Sequence, residues 1–240
     1  MAPSFPGFPK EGLAFLADLK QNNTRDWFQP RKEIFESQVK APMVALVEAF
    51  NSHLVKFAPD YVNEPAKAVY RIYRDTRFSN DKTPHKTHIA AVFPRQGLAK
   101  HAGAGFYFGV SPGEIEFAAG LYMPGPDELR AVRTHILEHH GEFDKIIRNK
   151  TVKSLVGDMR NQMLARVPKG FPADHPAADH LRAKQWIYYQ TAIPTKLALS
   201  KDLLGELVKR AKALTPFVEF LNAPLRKASV AAATAREFFE

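Results

Sequence analysis

Gly105 to Met123 reads GFYFGVSPGEIEFAAGLYM, two alternating aromatic and aliphatic runs on either side of Ser111-Pro112-Gly113. Alternation marks strands, and a Pro-Gly pair between two such runs marks a hairpin. In the second run Ile115, Phe117, Ala119, Leu121 and Met123 fall on one face at period two, with Glu114, Glu116, Ala118, Gly120 and Tyr122 on the other. The first face predicts a core. Upstream, His88 to Pro94 (HIAAVFP) is a short apolar run, and downstream Lys184 to Ala192 (KQWIYYQTA) has the aromatics of an edge strand. The expectation is a central antiparallel sheet of about four or five strands.

Helices are expected on both sides of that sheet. Leu13, Phe15, Leu16 and Leu19 stripe a short amphipathic helix. Thr24 suits the N-cap of a brief turn through Trp27, whose indole is expected to pack a helix–helix corner. Pro30 suits a helix start, and Ile34, Phe35 and Val39 follow it on one side. Pro42 either kinks that helix or opens the next, which carries Met43, Leu46, Val47, Phe50 and Leu54. After the strands, Pro126 followed by Asp127 and Glu128 predicts a helix through Leu129, Val132 and Ile136. Another is predicted from Val152 to Leu164, then a proline loop at 168–176, a helix capped by Ser200, and a final helix from Pro216. The fold class is α+β, with N-terminal and C-terminal helices flanking the sheet. Neither a repeat nor a linker divides it, so one domain is expected over 1–227, with an Ala-rich, disorder-prone tail at 228–240.

Between the first helices and the sheet lies Val69 to His88, VYRIYRDTRFSNDKTPHKTH. Taken as a strand, it puts Arg71, Tyr73, Asp75 and Arg77 on one face and Tyr70, Ile72, Arg74, Thr76 and Phe78 on the other. Arg74 on the apolar face needs a partner, because an unpaired buried guanidinium is costly. A turn at Ser79-Asn80 would return Asp81 to it. Asp75, flanked by arginines, is expected to stay ionised. Glu116, on a neighbouring strand, is the expected partner of Arg71 or Arg77. Guanidinium groups on one face make a fork for phosphate or carboxylate, and the same Arg–Asp pattern equally serves to brace a strand and its turn.

The run R71-I-Y-R74-D75-T-R77-F78-S-N-D81-K82-T-P-H85 resembles the signature R-x-x-R-D-x-R-F-x-x-[DN]-K-x-x-Y of a bacterial family, domain of unknown function 2461. The MPGPDELRAVR segment and the KGFPADHP loop are similar to that family too, so the resemblance runs over most of the chain. It implies a fold and an important motif without an activity. In one departure, His85 stands where the signature has tyrosine. If that tyrosine acts through its hydroxyl, this chain uses an imidazole or has lost the role.

Composition limits the chemistry. The 240 residues, 45% of them hydrophobic and 25% charged, describe an ordinary globular chain with length for a full core. The absence of cysteine excludes disulfides, thiol catalysis and cysteine-ligated zinc. A start without a signal-peptide pattern and the lack of a long apolar run predict a cytoplasmic protein without a membrane partner. The net charge is +9, and residues 71–100 hold seven Lys/Arg against Asp75 and Asp81, a local +5. Such a surplus suits an anionic partner or merely keeps a surface solvated.

Phosphate-loop, Rossmann and G-x-S-x-G patterns are absent. His135 and His139 lie four apart on the helix after Pro126, a chelating spacing, yet H-E-x-x-H is missing; no metal ligand and no cofactor is assigned. Asp174-His175 and Asp179-His180 suit acid–base pairs or turns equally. The leading expectation is a site for a small anionic or phosphate-bearing ligand built from Arg71, Arg74, Asp75, Arg77, Asp81, Lys82, His85 and Glu116. Asp75 and His85 are its catalytic candidates, the imidazole as proton shuttle. One alternative is a nucleic-acid module using the basic strand and the glycine-rich loop 97–105, with Tyr70, Tyr73 and Phe106 to Phe108 for stacking but no recognised nucleic-acid motif. The other is an interaction protein whose motif only braces the fold.

Overall fold

The computed structural model describes residues 3–98 and 102–237, the last eleven by backbone alone. The elements are α1 (Lys10–Gln21), α2 (Arg25–Phe28), α3 (Lys32–Ile34), α4 (Ala41–Leu54), α5 (Pro65–Ala68), β1 (Ile89–Pro94), β2 (Gly105–Val110), β3 (Ile115–Leu121), α6 (Pro126–Glu138), α7 (His140–Ile147), α8 (Lys150–Val156), α9 (Ala178–Leu181), β4 (Trp186–Gln190) and α10 (Asp202–Glu237). The four strands form one antiparallel sheet in the order β1-β2-β3-β4, so the α+β expectation holds. Ser111 N–H donates to the Glu114 carbonyl at 2.9 Å and closes the predicted hairpin. No helix among the described residues is long and apolar enough to cross a membrane.

Internal contacts gather into two units. One comprises 1–93, 107–117 and 190–209, the other 94–106, 118–189 and 210–240. The first unit is centred on rings. Phe15, Phe28 and Phe35 meet at centroid distances of 5.6 to 6.2 Å, and Phe50, Phe93 and Phe108 at 4.8 to 5.3 Å. In the second, Phe217 meets Phe143 at 6.2 Å and Tyr188 at 5.0 Å, and Trp186 and Ile136 are buried as well. Each ring is removed from water almost completely, and stacked or edge-on pairs add about 0.5–1.5 kcal/mol beyond that burial.

The helix starts follow local chemistry. Thr24 Oγ1 accepts from Trp27 N–H at 3.2 Å, and Trp27 packs against Phe15. Pro126 stands in the first turn of α6 with Asp127 and Glu128. Pro42 stands in the first turn of α4 and so opens the next helix, one of the two outcomes expected of it. Ahead of it, Phe35–Lys40 form a π-helical turn that runs into α4. The Pro42 ring has no N–H for the Gln38 carbonyl. That carbonyl faces α1 at Gly12, where a Cβ would lie 2.0 Å from its oxygen.

Several expectations are corrected. Met123 leaves the sheet: β3 ends at Leu121, and Met123 is exposed with φ of 46°. The helix expected over 152–164 stops at Val156, because Gly157 caps it at φ 69° and turns the chain away. The helix expected from Pro216 is the middle of α10, which carries Pro216 and Pro224 inside it. Leu203, Leu207, Ala211, Leu214, Phe217, Leu221 and Leu225 continue one buried stripe across Pro216, and Thr215 Oγ1 donates to the Ala211 carbonyl at 2.9 Å. Burial of that stripe outweighs the lost backbone bond. The backbone of α10 continues to Glu237, through most of the segment expected as a tail.

Helix propensity alone gives Gly12→Ala a gain of up to about 1 kcal/mol. The collision with the Gln38 carbonyl reverses the sign. We expect a net loss of about 1–3 kcal/mol in urea unfolding, the usual range for overpacking.

Candidate functional site

The motif segment is a short irregular ladder followed by a loop, not the strand its alternation suggests. Tyr70 N–H donates to Ala90 O, Lys86 N–H to Ile72 O and Arg74 N–H to Pro84 O, at 2.8 to 2.9 Å. Isolated bridges join Val69 to Ala91 and Tyr73 to His85. Beyond Arg74 pairing ends, and residues 75–83 loop out. Two aspartates account for the change, each accepting from the backbone two residues on: Asp75 Oδ1 from Arg77 N–H at 3.2 Å, Asp81 Oδ1 from Thr83 N–H at 2.9 Å. Such Asx turns compete with a ladder, and Pro84 lacks a donor to extend it. The two-face pattern therefore fails past Arg74, and Phe78, expected on the core face, is 95% exposed.

The side chains brace this loop. The half-buried Arg74 guanidinium donates through Nη1 to Asp81 Oδ2 and Thr83 Oγ1, the return contact expected from the Ser79-Asn80 turn. Arg77 forks onto Asp75, Nε at 3.0 Å and Nη2 at 2.7 Å. Lys82 Nζ donates to the Thr76 carbonyl at 2.9 Å. The bonds from Arg77 hold the Asp75 carboxyl down to about 2, and those from Arg74 and Thr83 do the same for Asp81. Asp75 thus stays ionised as expected, engaged with Arg77.

His85 lies where the ladder meets the loop, bridged to Tyr73, and is 1% exposed. Its ring stacks on Phe28 at 4.1 Å and 18°, with Tyr73 at 5.3 Å, and neither ring nitrogen has a hydrogen-bond partner. Burial pushes its pKa down, and the charge of Arg25 adds to the effect. The ring is thus packed in the core against Phe28 and Tyr73, where burial disfavours its charged form. Its backbone is held from 62 residues away: Asn23 Nδ2 donates to His85 O at 2.8 Å, and His85 N–H donates to Asn23 Oδ1 at 3.0 Å. Asn23 directly precedes the helix cap at Thr24. An amide that satisfies both backbone groups of one distant residue has no local signature.

Glu116 does not pair with Arg71 or Arg77. Its Oε2 accepts from Tyr107 Oη at 2.8 Å, and its charge opposes the burial that lowers the pKa of His88. Arg71 is exposed and acts on Asp75 through its charge. Lys86 sits over the Tyr70 ring at 4.7 Å. The structure thus brings Arg71, Arg74, Asp75, Arg77, Asp81 and Lys82 together on one loop and its stem, with His85 buried against Phe28 and Glu116 bonded to Tyr107. Of the glycine-rich loop, residues 99–101 lie outside the described residues; Ala104 is clamped by Asn222, N–H to Oδ1 at 2.8 Å and O to Nδ2 at 2.9 Å. The Asp–His neighbours do not pair with each other. His175 Nδ1 accepts from Ala177 N–H, and His180 lies 3.7 Å from Asp144.

The class is an α+β chain with one four-stranded antiparallel sheet and an Arg/Asp loop paired within itself. The chain belongs to the family described as conserved hypothetical protein (DUF2461), whose model matches residues 11–220. Neither the curated proteins nor the solved structures give a match.

A buried histidine whose pKa is lowered binds its proton more readily in the unfolded chain. Stability is therefore intact well above the unfolded value of about 6.5 and falls as the pH drops below it, by at most about 1.4 kcal/mol per pH unit for each such group. Between pH 7 and 5, His85→Phe should unfold in urea with a shallower pH slope than wild type, the remainder coming from His88 and His180.

Proposed function

We propose that the chain is a binding protein for a phosphate-bearing ligand, engaged by the loop 75–83 and its stem. The observation that carries this reading is Phe78, 95% exposed on a loop tied down by two internal ion pairs, with the Arg77 guanidinium 5.7 Å from its ring. A phenylalanine held in water gives up roughly 1.5–3 kcal/mol of burial. One exposed ring is ordinary on a protein surface. A ring next to Arg77 on a braced loop that, with its stem, also carries the exposed Lys82 and Arg71 is a stacking platform on a basic segment, the combination that single-stranded nucleic acid meets.

The roles divide among the motif residues. Arg74, Asp75, Asp81 and Thr83 set the loop's shape; Arg71, Lys82 and Phe78 meet the ligand. An enclosed receptor for a small anion fits less well, because the forks of Arg74 and Arg77 already hold Asp81 and Asp75, and the remaining cations are exposed. An extended strand with phosphates and bases is the ligand class this favours. Bracing and binding are then two halves of one device.

The test is fluorescence anisotropy with a labelled single-stranded oligonucleotide, alongside a nucleoside triphosphate and inorganic phosphate, across a salt series. Phe78→Ala should weaken strand binding by about 5-fold to 150-fold, corresponding to one lost base stack of roughly 1–3 kcal/mol. The double variant Arg71→Ala, Lys82→Ala should make the logarithmic salt slope shallower by about 1.4, two single-strand phosphate contacts. Binding of free phosphate alone with a shallow slope would return the small-anion reading. Absence of binding at low salt, or full affinity in Phe78→Ala, would overturn the proposal.

A further inference from the structure

In the second unit, α6 ends on His135-Ile136-Leu137-Glu138-His139. Positions i, i+3 and i+4 share a helix face, so His135, Glu138 and His139 are neighbours by construction. Their ligand-capable atoms all lie within 4.8 Å of one another. The two imidazole rings are 4.5 Å apart, and His135 is positioned by the Phe220 ring at 4.5 Å. Glu138 and His139 are exposed, and His139 is the C-cap, outside the helical dihedrals at φ −123°. All three open onto a groove shared with Arg130, Thr134 and Pro224.

From this we infer that His135, Glu138 and His139 form a three-ligand site for a divalent transition-metal ion of the zinc class. Two imidazoles and a carboxylate suit Zn²⁺, Co²⁺, Ni²⁺ or Cu²⁺; Mg²⁺ and Ca²⁺ ask for all-oxygen shells. Bonds of about 2.0–2.2 Å in a tetrahedron set ligand atoms about 3.3 Å apart, so the trio must draw in by about 1.5 Å at most. Rotation of two exposed side chains supplies that. The site lies in the last turn of α6, where the helix's own carbonyl end favours a cation. The H-x-x-E-H spacing also occurs in one class of metallopeptidase helices. Here the carboxylate is close enough to both rings to serve as the third ligand. Three protein ligands leave a fourth position on the groove side for water or a small anion, an arrangement typical of exchangeable sites. The sequence alone showed the histidine pair; the carboxylate that completes it emerged only once the end of α6 was fixed.

The experiment uses the full-length, tag-free chain, titrated with Zn²⁺ by calorimetry and with Co²⁺ by visible absorbance. One ion per chain is expected, with Co²⁺ bands of tetrahedral or five-coordinate intensity. At free metal a hundredfold above Kd, mass action should raise the melting midpoint by about 5–10 °C. His139→Ala should abolish the absorbance bands, and Glu138→Gln should weaken binding by more than about tenfold. Both residues are exposed, and circular dichroism checks that the variants fold. His53→Ala, in the other unit, should bind as wild type does. Failure of wild type to take up one equivalent, or unchanged binding in His139→Ala, would overturn the site.

Discussion

The Asn23 side chain satisfies the backbone of His85, N–H and carbonyl together, and the motif's geometry descends from that contact. The asparagine stands between α1 and α2 on the helical corner; the histidine stands where the ladder meets the loop. With His85 fixed, its ring stacks on Phe28, and Tyr73 bridges opposite it. Arg74 follows at the ladder's end, placed to meet Asp81 and Thr83. A loop of nine residues is otherwise costly to hold in one shape, since each ordered residue gives up roughly 1–2 kcal/mol of backbone entropy. Here one amide, one ring stack and two ion pairs share that cost.

The polar residues of the motif separate by depth. Arg74 is half-buried and paired, and Asp75 and Asp81 are drawn into the loop's own turns. Arg71, Phe78 and Lys82 face water. The His85 ring lies in the deepest layer, where it packs on Phe28 and its two nitrogens make no hydrogen bond. The imidazole therefore bears on how the motif is supported and on stability at low pH, while Arg71 and Lys82 stand outward in water.

Much of the architecture was legible in local chemistry. The hairpin around Ser111-Pro112-Gly113, the cap at Thr24 and the start at Pro126 each depend on residues a few positions apart. What misled was periodicity without context. Val69 to Phe78 alternates like a strand, yet Asp75 and Asp81 turn back on their own backbone. The apolar positions from 152 to 164 look helical, yet Gly157 reverses the chain. Pro216 looks like a boundary, yet the stripe from Leu203 to Leu225 is buried without interruption. Within the motif, the Arg74–Asp81 contact was readable because a turn joins the two. The Asn23–His85 clamp and the Tyr107–Glu116 bond were not, being set by how separate elements pack.

Gly12 and the Gln38 carbonyl are the two sides of one contact, since a Cβ at position 12 would lie 2.0 Å from that oxygen. The obstacle is main chain, so no choice of side chain at 38 makes room for a larger residue at 12. Tolerance at position 12 is thereby decoupled from the identity of the residue it faces, and set by the path of the π-helical turn.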